Sequence, residues 1–437
     1  MPALQSFSFI SRLTIQTSIP KRTRILNMKV NAQHLPWAFL ASCLVHPIEA
    51  ALTTEYLAAN NLNFTCSVLD HRSLANPDAP LKQLMLLHGF PMFRVWWMPL
   101  LQHWDEMLKT DDAMSVHAVA CDLRGYSPQA SPETIEDYDY SIFAEDTFAL
   151  AEAAGFTNGF HLLGHDHGAA LAWYVAAHDI NNQVLSLTTM SVPHIDLLSE
   201  ALCGDNNDED QVIASNYFNQ FSLPNSAAAN NASLTEMFAS FGLPVQPESF
   251  QKMLWWYNGS FPTYFSLPRV VSDDEVETYK AEKGPEATFF LERTRSAIAM
   301  EERPCVPVED KIGAIEIPTL FICGLEDTSL LCNRPYATDF PVDFLPDYEH
   351  ANFQCGHDFF LEGNCVTMEE SQAVMDKITS FVLLRDLPSP AGDKESSVPT
   401  SSEDQTEDST VDDSSGTDKA STMILTATMA LGALAVF

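Results

Sequence analysis

Gly164-His165-Asp166-His167-Gly168 sets a carboxylate between two glycines, just after an apolar run and just before an alanine-rich one. A Gly-x-nucleophile-x-Gly turn between a strand and a helix forces its central residue into a strained conformation and exposes its side chain. Glycine at both ends removes side chains that would clash there. The central residue is Asp166, and no Gly-x-Ser-x-Gly occurs in the chain, which excludes ordinary serine-esterase chemistry. An aspartate, with a reference pKa near 3.9, is ionised at neutral pH without help from a base. It can attack an sp³ carbon and displace an epoxide oxygen or a halide, leaving an alkyl ester on the protein. Releasing that ester takes water, a base and an oxyanion hole.

The base is expected at His357, in Cys355-Gly356-His357-Asp358-Phe359-Phe360, where a loop after the last strand would return it to the turn. Asp327, in Gly324-Leu325-Glu326-Asp327, follows an apolar strand and is expected to orient the imidazole and stabilise its charged form; Glu326 is the adjacent alternative. Nucleophile, acid, histidine is the chain order of hydrolases with such an elbow. The oxyanion hole is expected from the backbone N–H groups of His167 and of Phe90 in His88-Gly89-Phe90-Pro91, with His88 bracing that loop.

These residues need elements to hold them. Leu62–Leu69 alternates like an exposed strand, while Gln83–Leu87, Ser115–Cys121, Phe160–Leu163, Val184–Met190 and Thr319–Cys323 are short apolar runs of the kind found in buried parallel strands. Val342–Leu345 is a further candidate strand. Ile142–Ala154, Ala169–His178 and Met368–Leu384 read as helices. The alternation predicts an α/β fold: a mostly parallel central sheet with helices on both faces. Strand signals stop between Ser191 and Ile317, so a helical lid inserted over residues 195–315 is expected to divide a core of 50–194 and 316–386.

His88-Gly-Phe-Pro91, Asp122-Leu-Arg-Gly-Tyr-Ser127, Gly164-His-Asp-His-Gly168, Ser191-Val-Pro-His194 and Ile317-Pro-Thr-Leu-Phe-Ile-Cys-Gly-Leu-Glu-Asp327 together resemble the epoxide hydrolase and haloalkane dehalogenase branch of the α/β-hydrolases, over about residues 61–385. The resemblance implies the α/β-hydrolase fold, no metal or organic cofactor, and a small apolar epoxide-like substrate with water. It implies two lid tyrosines that hold and protonate the epoxide oxygen. Tyr217 matches a Tyr-x-x-x-Phe-x-x-Pro pattern through Phe221 and Pro224, and Tyr257 follows Trp255-Trp256. The chain departs from the branch at His167, where tryptophan is usual and where dehalogenases cradle the leaving halide, and in a long stretch over Ser266–Gly313. Trp96 and Trp97 read either as pocket lining or as helix packing. The expected activity is epoxide hydrolysis. The alternatives are hydrolytic dehalogenation and a surface binding protein on the same fold.

The formal net charge is −36 in 437 residues, a surface that repels phosphate backbones and argues against nucleic-acid partners. Residues 1–49 carry one acid, and Leu35–Val45 is a short apolar run behind Lys29, which reads as a secretory signal, with Met28 as an alternative start and an organellar transit peptide as the rival. Residues 387–418 form an acidic Ser/Thr-rich stalk; 419–437 end in an apolar tail that reads as a GPI-attachment signal or a tail anchor, either of which would tether the chain to a membrane. Sequons stand at Asn63, Asn231 and Asn258. Eight cysteines beyond Cys43 suit disulfides in an oxidising compartment, although Cys121 and Cys323 lie in apolar strands and read equally as buried thiols.

Overall fold

The computed structural model of the chain describes residues 52–222 and 247–385, apart from 74, 112, 261–262, 289–290, 293–304, 306–307, 309, 340–343 and 362. The expected leader, stalk and apolar tail, the Asn231 sequon and the side chain of Asn258 lie outside the described residues. Asn63 is exposed.

The strands are β1 (Leu52–Ala59), β2 (Leu62–His71), β3 (Leu81–Leu87), β4 (Ser115–Cys121), β5 (Phe160–His165), β6 (Val184–Met190), β7 (Thr319–Gly324) and β8 (Tyr348–Phe353). They form one sheet in the order β1-β2-β4-β3-β5-β6-β7-β8. β2 runs antiparallel to both β1 and β4, and every later pair is parallel. The helices used below are α1 (Met98–Leu108), α2 (Tyr140–Ala153), α3 (His167–Ala177), α4 (Ile195–Cys203), α5 (Glu209–Ala214), α6 (Tyr217–Phe221), α7 (Pro247–Ser260), α8 (Asp273–Lys283) and α9 (Met368–Thr379).

Every residue of β4, β5 and β7 is buried, because helices cover the sheet on both sides. Successive residues of β3 feed opposite cores: Met85 and Leu87 join the apolar cluster with α2 and α3, and Leu84 and Leu86 join the one with α1 and α9. Burying each such side chain is worth roughly 1.5–3 kcal/mol, which outweighs the modest propensities of these short runs. Trp104 of α1 donates its indole N–H to Thr379 Oγ1 of α9 at 2.8 Å and ties the closing helix to the sheet.

Two edge strands differ from expectation. β1 lies where only the start of the core was expected; its middle is exposed and carries Thr53, Thr54 and Glu55, so no apolar period marks it. The strand expected over Val342–Leu345 overlaps residues outside the described set, while Phe344 and Leu345 lie in no strand. The partner of β7 is β8, which is half-exposed and polar (Tyr348-Glu-His-Ala-Asn-Phe353).

The described cysteines pair as Cys66–Cys121, Cys203–Cys305, Cys323–Cys332 and Cys355–Cys365. The buried-thiol reading of Cys121 and Cys323 is therefore corrected. Cys121 faces Cys66 across the β2–β4 register, and Cys323 closes a nine-residue loop. Between β6 and β7 the described residues are helical or irregular, with α4 to α8 carrying the chain. Cys203 at the end of α4 holds residue 305 to this insertion. Ser272 and Glu275 form a reciprocal capping box at the start of α8.

Candidate active site

β5 ends at His165 and α3 begins at His167, so Asp166 is the whole turn. Its φ of 52° and ψ of −120° are strained for a residue with a β-carbon. The glycines make the turn possible. A β-carbon on Gly164 would lie 2.2 Å from the Gly168 carbonyl oxygen, and one on Gly168 would lie 2.2 Å from that of Leu87.

The two oxygens of Asp166 have different partners. Oδ1 accepts the Phe90 N–H at 2.7 Å. The backbone N–H of His167 also donates to this carboxylate. Oδ2 lies 3.3 Å from His357 Nε2. Burial would raise the Asp166 pKa, but the hydrogen bond and charge of His357, with the His167 N–H, hold it at about 2. The first turn of α3 points its positive end at the same group.

On the far side of the imidazole, Nδ1 is 2.7 Å from Asp327 Oδ2. Asp327 is buried, and its Oδ1 accepts the N–H groups of Ser329 and Leu330 at 2.8 and 3.1 Å. Glu326 is exposed, so the expected choice between the two acids falls to Asp327 on geometry. Burial opposes charge on His357, but Asp327 and Asp166 together keep its pKa well above the ordinary histidine value. His357 thus sits between the Asp166 and Asp327 carboxyl groups.

Tyr217 on α6 and Tyr257 on α7 are both buried and line one cavity of about 240 Å³ with Asp166, His357 and Asp327. Phe90 packs edge-on against Phe221 and Tyr257, with ring centroids 5.2 and 5.8 Å away. Burial, with the charge of Asp166 near by, raises both phenols well above the ordinary tyrosine value.

His88 braces its loop: Nδ1 bonds the Gly89 carbonyl and Nε2 accepts the Leu123 N–H, both at 2.9 Å. Asp122 and Arg124 of the quoted Asp122–Ser127 motif are buried and pair with Arg94 and Asp146. The His167 ring stacks on Trp256 of α7 at 3.7 Å and 6°. Trp96 is packing, not lining: it stacks on His165 at 3.9 Å and 9°.

Three contributors were not singled out from the sequence. His165 Nε2 and Ser191 Oγ both hold the His357 carbonyl, at 2.9 and 3.2 Å; each residue lies within a quoted motif, which was the available signal. Asp358, next to His357, lines the same cavity although it is buried. Burial pushes its carboxyl up to about 6. The two short disulfides bracket the pair: Cys323–Cys332 spans Asp327, and Cys355–Cys365 spans His357. No spacing in the sequence gave that pairing.

A family model described as alpha/beta hydrolase fold matches residues 82–364. The chain is 30% identical over 151 residues to "Epoxide hydrolase 3" of Xenopus tropicalis, covering 35% of this chain and 38% of that protein. It is 27% identical over 156 residues to "Epoxide hydrolase 3" of Mus musculus, covering 36% and 38%. These matches thus span under two-fifths of the relatives' own length. A solved structure described as "Novel epoxide hydrolases belonging to the alpha/beta hydrolases superfamily in metagenomes from hot environments" aligns with a TM-score of 0.51 at 20% identity, over 76% of this chain and 98% of that one. At that identity the likeness speaks for the fold alone.

Proposed function

This chain belongs to the alpha/beta hydrolase fold family, and on that premise we propose that it is an epoxide hydrolase working through an ester on Asp166. The observation that carries the reading is the split between the two Asp166 oxygens, one on the Phe90 N–H and one facing His357, in a cavity shared with two buried tyrosines.

Oδ2 attacks an epoxide carbon, and the ring C–O bond breaks. The leaving oxygen becomes an alkoxide, which takes a proton from Tyr217 or Tyr257. Only a base of that strength draws a proton from phenols so far raised. The proton on His357 refills the tyrosinate, because esterification removes the Asp166 charge that had helped hold it on the imidazole. Neutral His357 then takes a proton from water. The hydroxide adds to the ester carbon while Oδ1, now the carbonyl oxygen, gathers charge against the Phe90 and His167 N–H groups. Collapse breaks the acyl C–O bond. His357 returns its proton to the departing oxygen, giving a vicinal diol. The carboxyl left on Asp166 ionises and its proton recharges His357. The sum is epoxide plus water.

Purified protein given an epoxide and a haloalkane in parallel tests this reading, with diol and halide measured. Diol is expected; halide without diol sinks the proposal. In His357→Gln, mass spectrometry should find the substrate's mass added to the peptide bearing Asp166, and Asp166→Asn should abolish turnover.

The four disulfides support an oxidising compartment, in line with the secretory reading of the leader. Thiol labelling of protein recovered from its native source should find these eight cysteines blocked. Eight reactive thiols would contradict it.

A further inference from the structure

A second, smaller cavity of about 20 Å³ adjoins the one described above. Among the described residues Asp166, Tyr217 and Tyr257 line both, and the rest of each lining is its own. A group held against those three residues therefore borders two spaces. The larger, of about 240 Å³, has apolar walls at Phe90, Met92 and Phe221 and polar ones at Thr328 and Asn364, and it reaches Glu326, which is exposed. The smaller is lined by Ala170, Val192, Leu198, Phe218, Phe265 and Leu330, all of them buried.

Space of about 10–15 Å³ admits one water molecule. The smaller cavity thus has room for a single group of about methyl size, not for a chain. Besides Asp166, His167 and the two phenols, its described lining is aliphatic or aromatic. Burial lowers the His167 pKa to about 3, which keeps that ring uncharged. A methyl group suits such a lining better than a hydroxyl or a charge does. Nor do the walls recede easily. The His167 and Trp256 rings are stacked, and Tyr140 packs parallel to both, at 5.6 and 6.0 Å. Close-packed rings yield little to an added methylene.

We propose that the substrate is a 1,2-disubstituted epoxide with a methyl group on one ring carbon, seated in the smaller cavity, and a longer chain on the other, seated in the larger. The inference rests on the hydrolase reading above and deepens it, since it names the substrate class of the same site. The epoxide ring, held at Asp166 and the two phenols, bridges the cavities, and their unequal size allows one orientation. Ala170 on α3 and Leu198 on α4 are specificity-determining residues that set the limit at one carbon.

Three epoxides that share one hexyl chain decide it: 1,2-epoxyoctane, 2,3-epoxynonane and 4,5-epoxyundecane, whose second substituents are hydrogen, methyl and propyl. The two internal epoxides are supplied as cis and trans isomers, and the faster isomer of each is compared. One methylene in an apolar pocket is worth about 10–200-fold in kcat/KM. For the wild type, the methyl epoxide should exceed the propyl one at least tenfold and be no slower than the terminal one. Leu198→Ala enlarges the smaller cavity and should narrow the methyl-to-propyl ratio at least fivefold. Ala170→Val fills that cavity and should cost the methyl epoxide at least fivefold relative to the terminal one. Should a variant fail to fold, the wild-type series decides alone. A methyl-to-propyl ratio under tenfold in the wild type overturns the inference, as does a terminal epoxide faster than the methyl one, or a ratio that moves less than fivefold in a folded variant. Diol from none of the three overturns the hydrolase reading and this inference with it.

Discussion

Gly89 stands so close to Asp166 that a β-carbon on it would lie 2.6 Å from Asp166 Cβ and 2.7 Å from Oδ1. The missing side chain lets the β3 loop carry the Phe90 N–H onto the Asp166 carboxylate. Gly89→Ala must push the carboxylate and that N–H apart. The expected result is a loss of about 10²–10³-fold in ester hydrolysis, the usual cost of one oxyanion donor. Rapid-quench measurement of the two half-reactions checks it. A variant whose ester hydrolyses at the wild-type rate contradicts the assignment of Phe90.

Asp166→Asn removes one of the two carboxylates that hold a proton on His357. The His357 pKa should fall towards the ordinary value near 6.5, read by NMR titration of its ring protons. Stability has a matching signature. The raised His357 pKa contributes stability fully present below about 6.5 and lost as pH rises through the folded value. The depressed Asp166 pKa contributes stability present above about 3.9 and lost as pH falls through about 2. The wild type's stability relative to Asp166→Asn should therefore peak between about pH 4 and 6.5 and decline on both sides. A difference independent of pH in chemical denaturation would contradict the ion pair.

Much of this site is legible in the sequence. Glycine spacing marked the elbow, because the backbone at Asp166 tolerates no alternative at Gly164 or Gly168. Buried parallel strands announced themselves as unbroken apolar runs. β1 and β8 did not, since edge strands facing solvent lose that pattern. Asp358 was passed over for a different reason. Beside a histidine in a loop, a carboxylate reads as surface, whereas in the fold Asp358 is buried.

In the proposed mechanism Tyr217 and Tyr257 serve the first half-reaction alone. Replacing both by phenylalanine should slow ester formation by about 10²–10⁴-fold, the range for general-acid catalysis. Each single replacement should cost less, because the other phenol still donates. Hydrolysis of a preformed ester should be unaffected. Slowing of both steps alike would mean that the tyrosines act by packing.

Cys323–Cys332 and Cys355–Cys365 each close a short loop around one member of the Asp327–His357 pair. In a Cys323→Ser, Cys332→Ser variant the two should drift out of register while Asp166, held by β5 and α3, keeps its place. Alkylation should continue and the ester should accumulate, at least tenfold over the wild type in steady-state mass spectra. The Cys66→Ser, Cys121→Ser variant, altered on β2 and β4, should lose stability without that accumulation.

His167 has two jobs that are usually separate. Its backbone N–H faces the Asp166 carboxylate, and its ring carries Trp256, the neighbour of Tyr257. Floor and roof of the cavity are thus measured from one residue, as two parts machined from a common datum. Errors in their spacing do not add. A substitution at His167 should consequently shift Tyr257 and the N–H facing Asp166 in the same stroke.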